Sequence, residues 1–167
     1  MEETMRNTFQ RILCLLVLVS VYLAVGALSI HAEEQRDMQG WGESDPYNKY
    51  YNVREFEQFR AWVLGFKEEP PMSGMSPATI LLVRDGSEEI DVHLCPTWFA
   101  KPQDVGVKKG DRVKVKGVWA EINGKDVFMA SKVKKDEMFE FKVRLTKNGK
   151  PFWTMTEEEL ARERASD

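Results

Sequence analysis

Cysteine and histidine are scarce in this sequence, which has two residues of each. Cys14 lies in an apolar N-terminal run, so Cys95 is left without a partner for an internal disulfide, and a four-cysteine zinc site is excluded. His31 follows the same run and leaves His93 as the only histidine in the rest of the chain, which excludes a two-histidine metal site there. Few catalytic constellations remain, and the sequence predicts a protein that is not an enzyme.

An excess of charge of one sign is also absent. With 24 basic and 27 acidic residues the net charge is −3, which does not mark the whole chain as a nucleic-acid binder. Hydrophobic residues make up 43% of the chain, too many for a disordered protein, and no internal repeat indicates a solenoid. The charge is nevertheless divided along the chain, because residues 33–100 carry a net charge of −7 and residues 101–150 one of +7.

The N-terminal run predicts export. Arg6 and Arg11 precede nineteen uncharged, proline-free residues from 12 to 30, and Ala32 follows just before two glutamates. This pattern is typical of a secretory signal peptide over residues 1–32, cleaved after Ala32. The run also approaches the ~20 residues of a membrane-spanning helix, so an uncleaved transmembrane anchor is the alternative. In both cases we expect the rest of the chain outside the cytoplasm, either periplasmic or anchored to the inner membrane.

The remaining chain divides into four predicted segments. Residues 33–52 are polar and predict a linker, although their aromatic residues indicate that part of it packs on the domain. Residues 53–136 predict a mainly β domain, a small five-stranded antiparallel barrel of the OB kind. Residues 137–155 predict an added C-terminal β hairpin, and residues 156–167 a short charged helix.

The barrel prediction depends on the alternation of apolar and polar residues. A first strand follows residue 53, and Gly65 predicts a bulge in it. The other predicted strands are Ala78–Arg84, Glu89–Cys95, Asp111–Ile122 and Asp126–Lys134. Thr156 and Glu159 form a capping box that predicts the start of the final helix. Five strands with a long connection after the third match the OB arrangement.

Several short stretches resemble a group of small exported bacterial proteins with an OB-like fold. They are Pro-Met-Ser-Gly-Met at 71–75, His-Leu-Cys-Pro-Thr-Trp at 93–98, Gly-Asp with a Val-x-Val strand from 110, and Pro-Phe-Trp at 151–153. The resemblance covers residues 55–155, and members of the group are mostly uncharacterised. It implies the OB-like fold and the exported location, with Cys95 standing where the group has glycine.

Basic residues cluster on the fourth and fifth predicted strands and their flanks: Lys108, Lys109, Arg112, Lys114, Lys116, Lys132, Lys134 and Lys135. On an OB barrel such a strip is compatible with nucleic-acid binding, with Trp98, Phe99 or Trp119 stacking on bases. The same strip fits anionic lipid headgroups if the N-terminus stays anchored. The alternative without a ligand is a solvated lysine face, which is ordinary for an antiparallel hairpin with one side in water.

Four residues raise the hypothesis of a soft-metal site. His93 and Cys95 are two apart on a predicted strand, so we expect both side chains on one face, and Met72 and Met75 lie in the loop before the second strand. Imidazole, thiolate and thioether together suit Cu(I). Otherwise the methionines fill space and His93 is a hydrogen-bonded barrel residue. We therefore expect no cofactor, with copper as the alternative.

Protein contacts are the first hypothesis for function. The sequence predicts a non-enzymatic, exported binding or adaptor module of the cell envelope, with an envelope protein as its partner. The apolar pair Phe152-Trp153 and a charged end helix too short to be stable alone provide docking surfaces. Binding of nucleic acid or of an anionic surface through the lysine strip is one alternative, and copper binding is the other.

Overall fold

The computed structural model describes residues 37–165, apart from the side chain of Arg164. Its strands and helix are β1 Phe56–Glu69, β2 Ala78–Asp85, β3 Glu88–Pro96, β4 Arg112–Ile122, β5 Lys125–Lys135, β6 Phe139–Lys142 and α1 Glu157–Ala165. Short 3-10 helices occupy Pro46–Tyr50, Val53–Glu55, Pro102–Asp104 and Phe152–Thr154. The prediction of a mainly β fold with a short C-terminal helix is confirmed.

A compact unit begins at Met38 and contains every strand of the described residues. The predicted signal or anchor segment and its cleavage site at Ala32 lie outside the described residues. Within residues 37–165, no helix is both long and apolar enough to cross a membrane.

Neighbouring strands of the sheet are antiparallel in the order β3-β2-β1-β4-β5-β6. β3 also pairs with β5 in parallel, with Val92 opposite Phe128 and His93 opposite Met129. Strands β1 to β5 therefore form a closed cycle of pairings, in which each strand has a hydrogen-bonded neighbour on both sides. β6 extends the sheet beyond β5.

Three register shifts interrupt the strand pairing. β1 skips one residue between Val63 and Gly65 opposite β2, which confirms the bulge that Gly65 predicts. β3 skips Leu94 opposite β2, and β5 skips Ser131 opposite β4. A skipped residue bends its strand and changes which side the following residues face.

One face of the paired strands supplies a large part of the hydrophobic core. Leu81, Val92, Val115 and Phe128 share this face and have no exposed surface. Each buried side chain of this size stabilises the fold by about 1.5–3 kcal/mol. The other face is polar only in part, because Met129 and the residues opposite it on β3 and β4 are buried there.

Two segments outside the cycle, residues 38–53 and 143–155, pack against each other and on the core. Trp41 has no exposed surface and Trp153 is 3% exposed. The Trp153 indole donates a hydrogen bond of 2.9 Å from Nε1 to the Trp41 carbonyl oxygen. The later part of the polar stretch 33–52 thus belongs to the folded unit, because its aromatic side chains are buried.

Arg144 joins these two segments. Its guanidinium donates to Asn48 Oδ1 at 2.7 Å and to the Gly149 carbonyl oxygen at 3.2 Å. Its Cζ lies 4.8 Å from the Tyr51 ring centroid and 4.7 Å from that of Trp153. Arg144 is buried, and no carboxylate of residues 37–165 forms an ion pair with it. The buried Arg144 guanidinium is therefore stabilised by neutral hydrogen-bond acceptors and aromatic rings.

Candidate functional site: a basic face across strands β1, β4 and β5

The strand registers place cationic side chains side by side on one outer surface of the sheet. Lys114 lies opposite Arg60 of β1 on one side and opposite Lys134 of β5 on the other. Two residues along β4, Lys116 lies opposite Lys132. Residues that lie directly opposite each other share a face of the sheet. We call this surface the basic face and define it by Gln58, Arg60, Trp62, Arg112, Lys114, Lys116, Lys132 and Lys134.

Carboxylates neutralise only part of the basic face. Glu140 of β6 forms ion pairs with Lys132 at 3.0 Å and with Lys134 at 2.5 Å. The four cations that β1 and β4 contribute to the basic face form no ion pair with any carboxylate of residues 37–165; they are Arg60, Arg112, Lys114 and Lys116. The cations without an ion pair are therefore concentrated on two adjacent strands, and Asp136 and Glu137 line the same depression as three of them without pairing to them.

This arrangement costs stability, because like charges directly opposite each other destabilise a sheet. Partial burial lowers the pKa of Lys116, and the neighbouring charges of Lys132, Lys114 and Lys134 lower it further. If this face only had to be exposed to water, opposite charges on directly opposed residues would make the sheet more stable. The observed register instead favours a function in which an external anion supplies the missing negative charge.

Trp62 adds an exposed aromatic ring to the basic face. Its side chain is 53% exposed, and it lies opposite Arg112 across the β1–β4 pair. The Arg112 Cζ is 5.7 Å from the Trp62 ring centroid, within the range of a cation–π interaction. The sequence analysis included neither Trp62 nor Arg60 among the candidate site residues. Their alternation in β1 was visible, but the alternation does not reveal which side is exposed.

Four of the predicted ligand-binding residues lie on β4, and the structure divides them. Arg112, Lys114 and Lys116 belong to the basic face. Trp119 leaves β4 on the opposite side, as strand alternation requires, and its ring centroid lies 5.2 Å from that of Phe128. Trp119 is therefore part of the packing around the core and is separate from the three cations.

The other two predicted ligand-binding residues, Trp98 and Phe99, lie in the connection between β3 and β4. Phe99 packs with its ring centroid 6.1 Å from that of Trp153, and Trp98 is 38% exposed. Neither residue belongs to the basic face. Lys135, at the end of the predicted lysine strip, forms an ion pair with Asp111 at 2.9 Å.

The residues of the copper hypothesis do not share one face. Because β3 skips Leu94, Cys95 lies opposite Thr79 and His93 lies opposite Ile80. Thr79 and Ile80 are consecutive in β2 and point to opposite sides of the sheet. His93 and Cys95 therefore point to opposite sides as well, which corrects the expectation of a shared face.

Their individual surroundings are those of structural residues. The His93 imidazole is buried with Nδ1 3.2 Å from the Tyr47 hydroxyl, and burial lowers its pKa to about 4. Cys95 has no exposed surface, and burial raises its pKa to about 12. Met72 and Met75 pack partly buried against the core. Within residues 37–165, no three or more His, Cys, Asp or Glu side chains are grouped so as to bind a metal.

The cost of the basic face leads to a testable expectation for stability. Replacing Lys116 with glutamate turns its opposition to Lys132 into an attractive pair, and should raise the free energy of unfolding by about 0.5–1 kcal/mol at low salt. Urea denaturation at low and high salt measures the effect, which salt should reduce by screening. Lys109→Glu, in the exposed connection before β4, is the control and should change little. A destabilised Lys116→Glu variant at low salt would show that the opposed cations carry no such cost.

A family model matches the part of the chain that contains this site. The model of the MamS/MamX magnetosome protein family matches residues 55–140, which is 86 of the 167 residues. The chain belongs to the MamS/MamX magnetosome protein family. This is a bacterial family, and the match lies within the range 55–155 covered by the sequence resemblance. None of the curated proteins matches the chain.

The region shared with the MamS/MamX family begins at Glu55, just before β1, and ends at Glu140, within β6. It includes the complete cycle of five strands and every residue of the basic face. Arg144, Trp153 and the N-terminal segment from Met38 to Arg54 lie outside it. The basic face is therefore carried by the part of the chain that defines its family membership.

Proposed function

We propose that this protein is a non-enzymatic binding module of the magnetosome, located outside the cytoplasm, and that its basic face binds an anionic partner. The observation that carries the proposal is the set of four cations on β1 and β4 that have no carboxylate partner within residues 37–165: Arg60, Arg112, Lys114 and Lys116. Family membership supports the association with magnetosomes. The apolar run at residues 12–30 supports export or membrane anchoring.

We also propose that the fold is an OB-type barrel. Its support is the closed cycle β1-β2-β3-β5-β4, in which the parallel β3–β5 contact connects the two ends of the sheet. The bulge at Gly65 in the first long strand supplies the bend that a small closed barrel needs. Because one fold serves many functions, the proposal for function depends on the basic face and not on the barrel.

The composition of the basic face favours an anionic protein or an anionic surface over nucleic acid as the partner. Single-stranded nucleic acid is usually bound by a series of exposed aromatic rings along a basic groove. On the basic face the exposed ring is Trp62, whereas Trp98 and Trp119 lie elsewhere. An anionic protein or an anionic surface needs cations in a regular array, and this is what the registers of β1, β4 and β5 provide.

The test is photo-crosslinking in cells from positions on and off the basic face. A photoreactive amino acid replaces Gln58 or Trp62 on the face, and Trp98, a second exposed tryptophan, is the matched control. Mass spectrometry then identifies the trapped molecules. We expect anionic adducts from 58 and 62 and none from 98.

Charge reversal supplies the second part of that test. The double variant Lys114→Glu/Lys116→Glu should reduce the yield of adducts from position 62 at least about tenfold, because each reversed cation weakens binding to an anion. Lys109→Glu, off the face, should leave them unchanged. Adducts of equal yield from position 98, or adducts insensitive to the reversal, would contradict the proposal.

A further inference from the structure

We infer that the anionic partner of the basic face is a lipid surface, which rests on the proposed function and specifies its partner. The first support is the spacing of the cations. Its cations lie on neighbouring strands of a sheet face, separated by about 4.8 Å between strands and about 7 Å along a strand. A lateral array of this kind matches the many headgroup charges of an anionic bilayer better than it matches one compact ligand.

The second support is the chemistry of Trp62 beside Arg112. An indole has a large apolar body and one N–H donor, and for this reason tryptophan is enriched at membrane–water interfaces. Trp62 is 53% exposed although its ring is among the largest apolar groups of the chain. The long stems of arginine and lysine also allow their charges to reach headgroups while their methylene groups lie along apolar surface.

The third support is the short distance along the chain between the folded unit and the apolar run. The run ends at Ile30, and the folded unit begins at Met38, which leaves seven residues between them. Seven residues span at most about 25 Å. If the run remains in the membrane as the predicted anchor, the basic face and the headgroups are held at a high effective concentration.

The experiment uses the full chain reconstituted into vesicles, with an environment-sensitive fluorophore on the basic face. Gln58→Cys carries the label on the face, and Glu121→Cys carries it elsewhere on β4. Both are made in a Cys14→Ser background, and the buried thiol of Cys95 stays unlabelled. The vesicles contain phosphatidylcholine alone or phosphatidylcholine with phosphatidylglycerol, and a third sample adds soluble polyglutamate to phosphatidylcholine vesicles.

We expect the label at 58 to enter an apolar environment in the vesicles with phosphatidylglycerol and to leave it at high salt. The label at 121 should not respond. Lys114→Glu/Lys116→Glu should weaken the docking at least about twenty-five-fold, at about fivefold for each cation removed from the surface of an anionic membrane.

Three results overturn the inference, and they have different consequences for the proposed function. If polyglutamate changes the fluorescence of the label at position 58 and phosphatidylglycerol does not, the partner is an acidic protein, and only the assignment to a lipid surface fails. If neither anion shifts the label and crosslinking from Trp62 traps nothing, both proposals fail. If the reversed double variant docks as well as the native chain, the membrane contact does not involve the basic face.

Discussion

Replacing Arg144 with alanine is expected to lower the free energy of unfolding by about 3 kcal/mol. The guanidinium donates to Asn48 Oδ1 and to the Gly149 carbonyl oxygen, so truncation leaves one half-buried and one buried acceptor without this donor. It also removes the cation from the rings of Tyr51 and Trp153 and opens a cavity between them. The recovered solvation of the arginine charge offsets part of this loss.

Hydrogen exchange should locate that loss in the two segments that Arg144 joins. Amide protons in residues 38–53 should lose protection in the Arg144→Ala variant, while those of β1 and β4 keep theirs at moderate denaturant. Arg144→Lys should restore little, because an ammonium cannot donate to both acceptors in the planar geometry of a guanidinium. Arg162→Ala, on the exposed side of α1, is the control and should be neutral. Uniform loss of protection across the sheet would mean that Arg144 acts on the whole domain and not as a fastener of two segments.

The second large effect is a loss of stability on mild acidification. Burial lowers the pKa of His93 to about 4, and the nearby carboxylate of Asp91 opposes the shift only in part. A histidine in the unfolded chain takes up its proton near pH 6.5, where folded His93 is still neutral. The contribution of neutral His93 to the free energy of unfolding is therefore fully present above about pH 6.5. It is lost as the pH falls toward the pKa of His93 in the folded protein. Between pH 7 and pH 5 the expected loss is about 2 kcal/mol.

Urea denaturation at a series of pH values measures this dependence, with His93→Gln as the matched variant. Glutamine keeps a polar group near the Tyr47 hydroxyl, which is 3.2 Å from His93 Nδ1, and does not titrate in this range. We expect the stability of the variant to be nearly independent of pH from 7 to 5. The lowered pKa of Asp91 contributes at lower pH, because its stabilisation is lost only as a carboxylate is protonated. A variant with the same acid sensitivity as the native chain would show that His93 is not its cause.

Local patterns in the sequence were sufficient to predict the final helix and the bulge of β1. The capping box at Thr156 and Glu159 predicted the final helix, and the two residues exchange hydrogen bonds of 3.0 and 3.2 Å as such a box requires. Gly65 predicted the bulge of β1. Both features depend on residues within a few positions of one another, and this is why they are legible without knowledge of the tertiary fold.

The candidate site could be predicted only in part, for a physical reason. Arg112, Lys114 and Lys116 follow each other at intervals of two on one strand, so their common face was visible in the sequence. The contribution of Trp62 and Arg60 depends on the pairing of β1 with β4, which is a contact between distant parts of the chain. The shared face expected for His93 and Cys95 failed because a single skipped residue, Leu94, reverses the side of every residue after it.

The sequence by itself determined the strand and helix segments, the uneven distribution of charge and the scarcity of groups for catalysis or disulfides, because these depend on composition and on short-range periodicity. Only the tertiary structure decided that the polar stretch before β1 joins the core through Trp41, that Arg144 fastens it, and that unpaired cations meet around Trp62. Each of these depends on the register and packing of residues far apart in the chain. Such contacts are selected by the sum of burial, hydrogen bonding and charge over the whole domain, and no local pattern contains that sum.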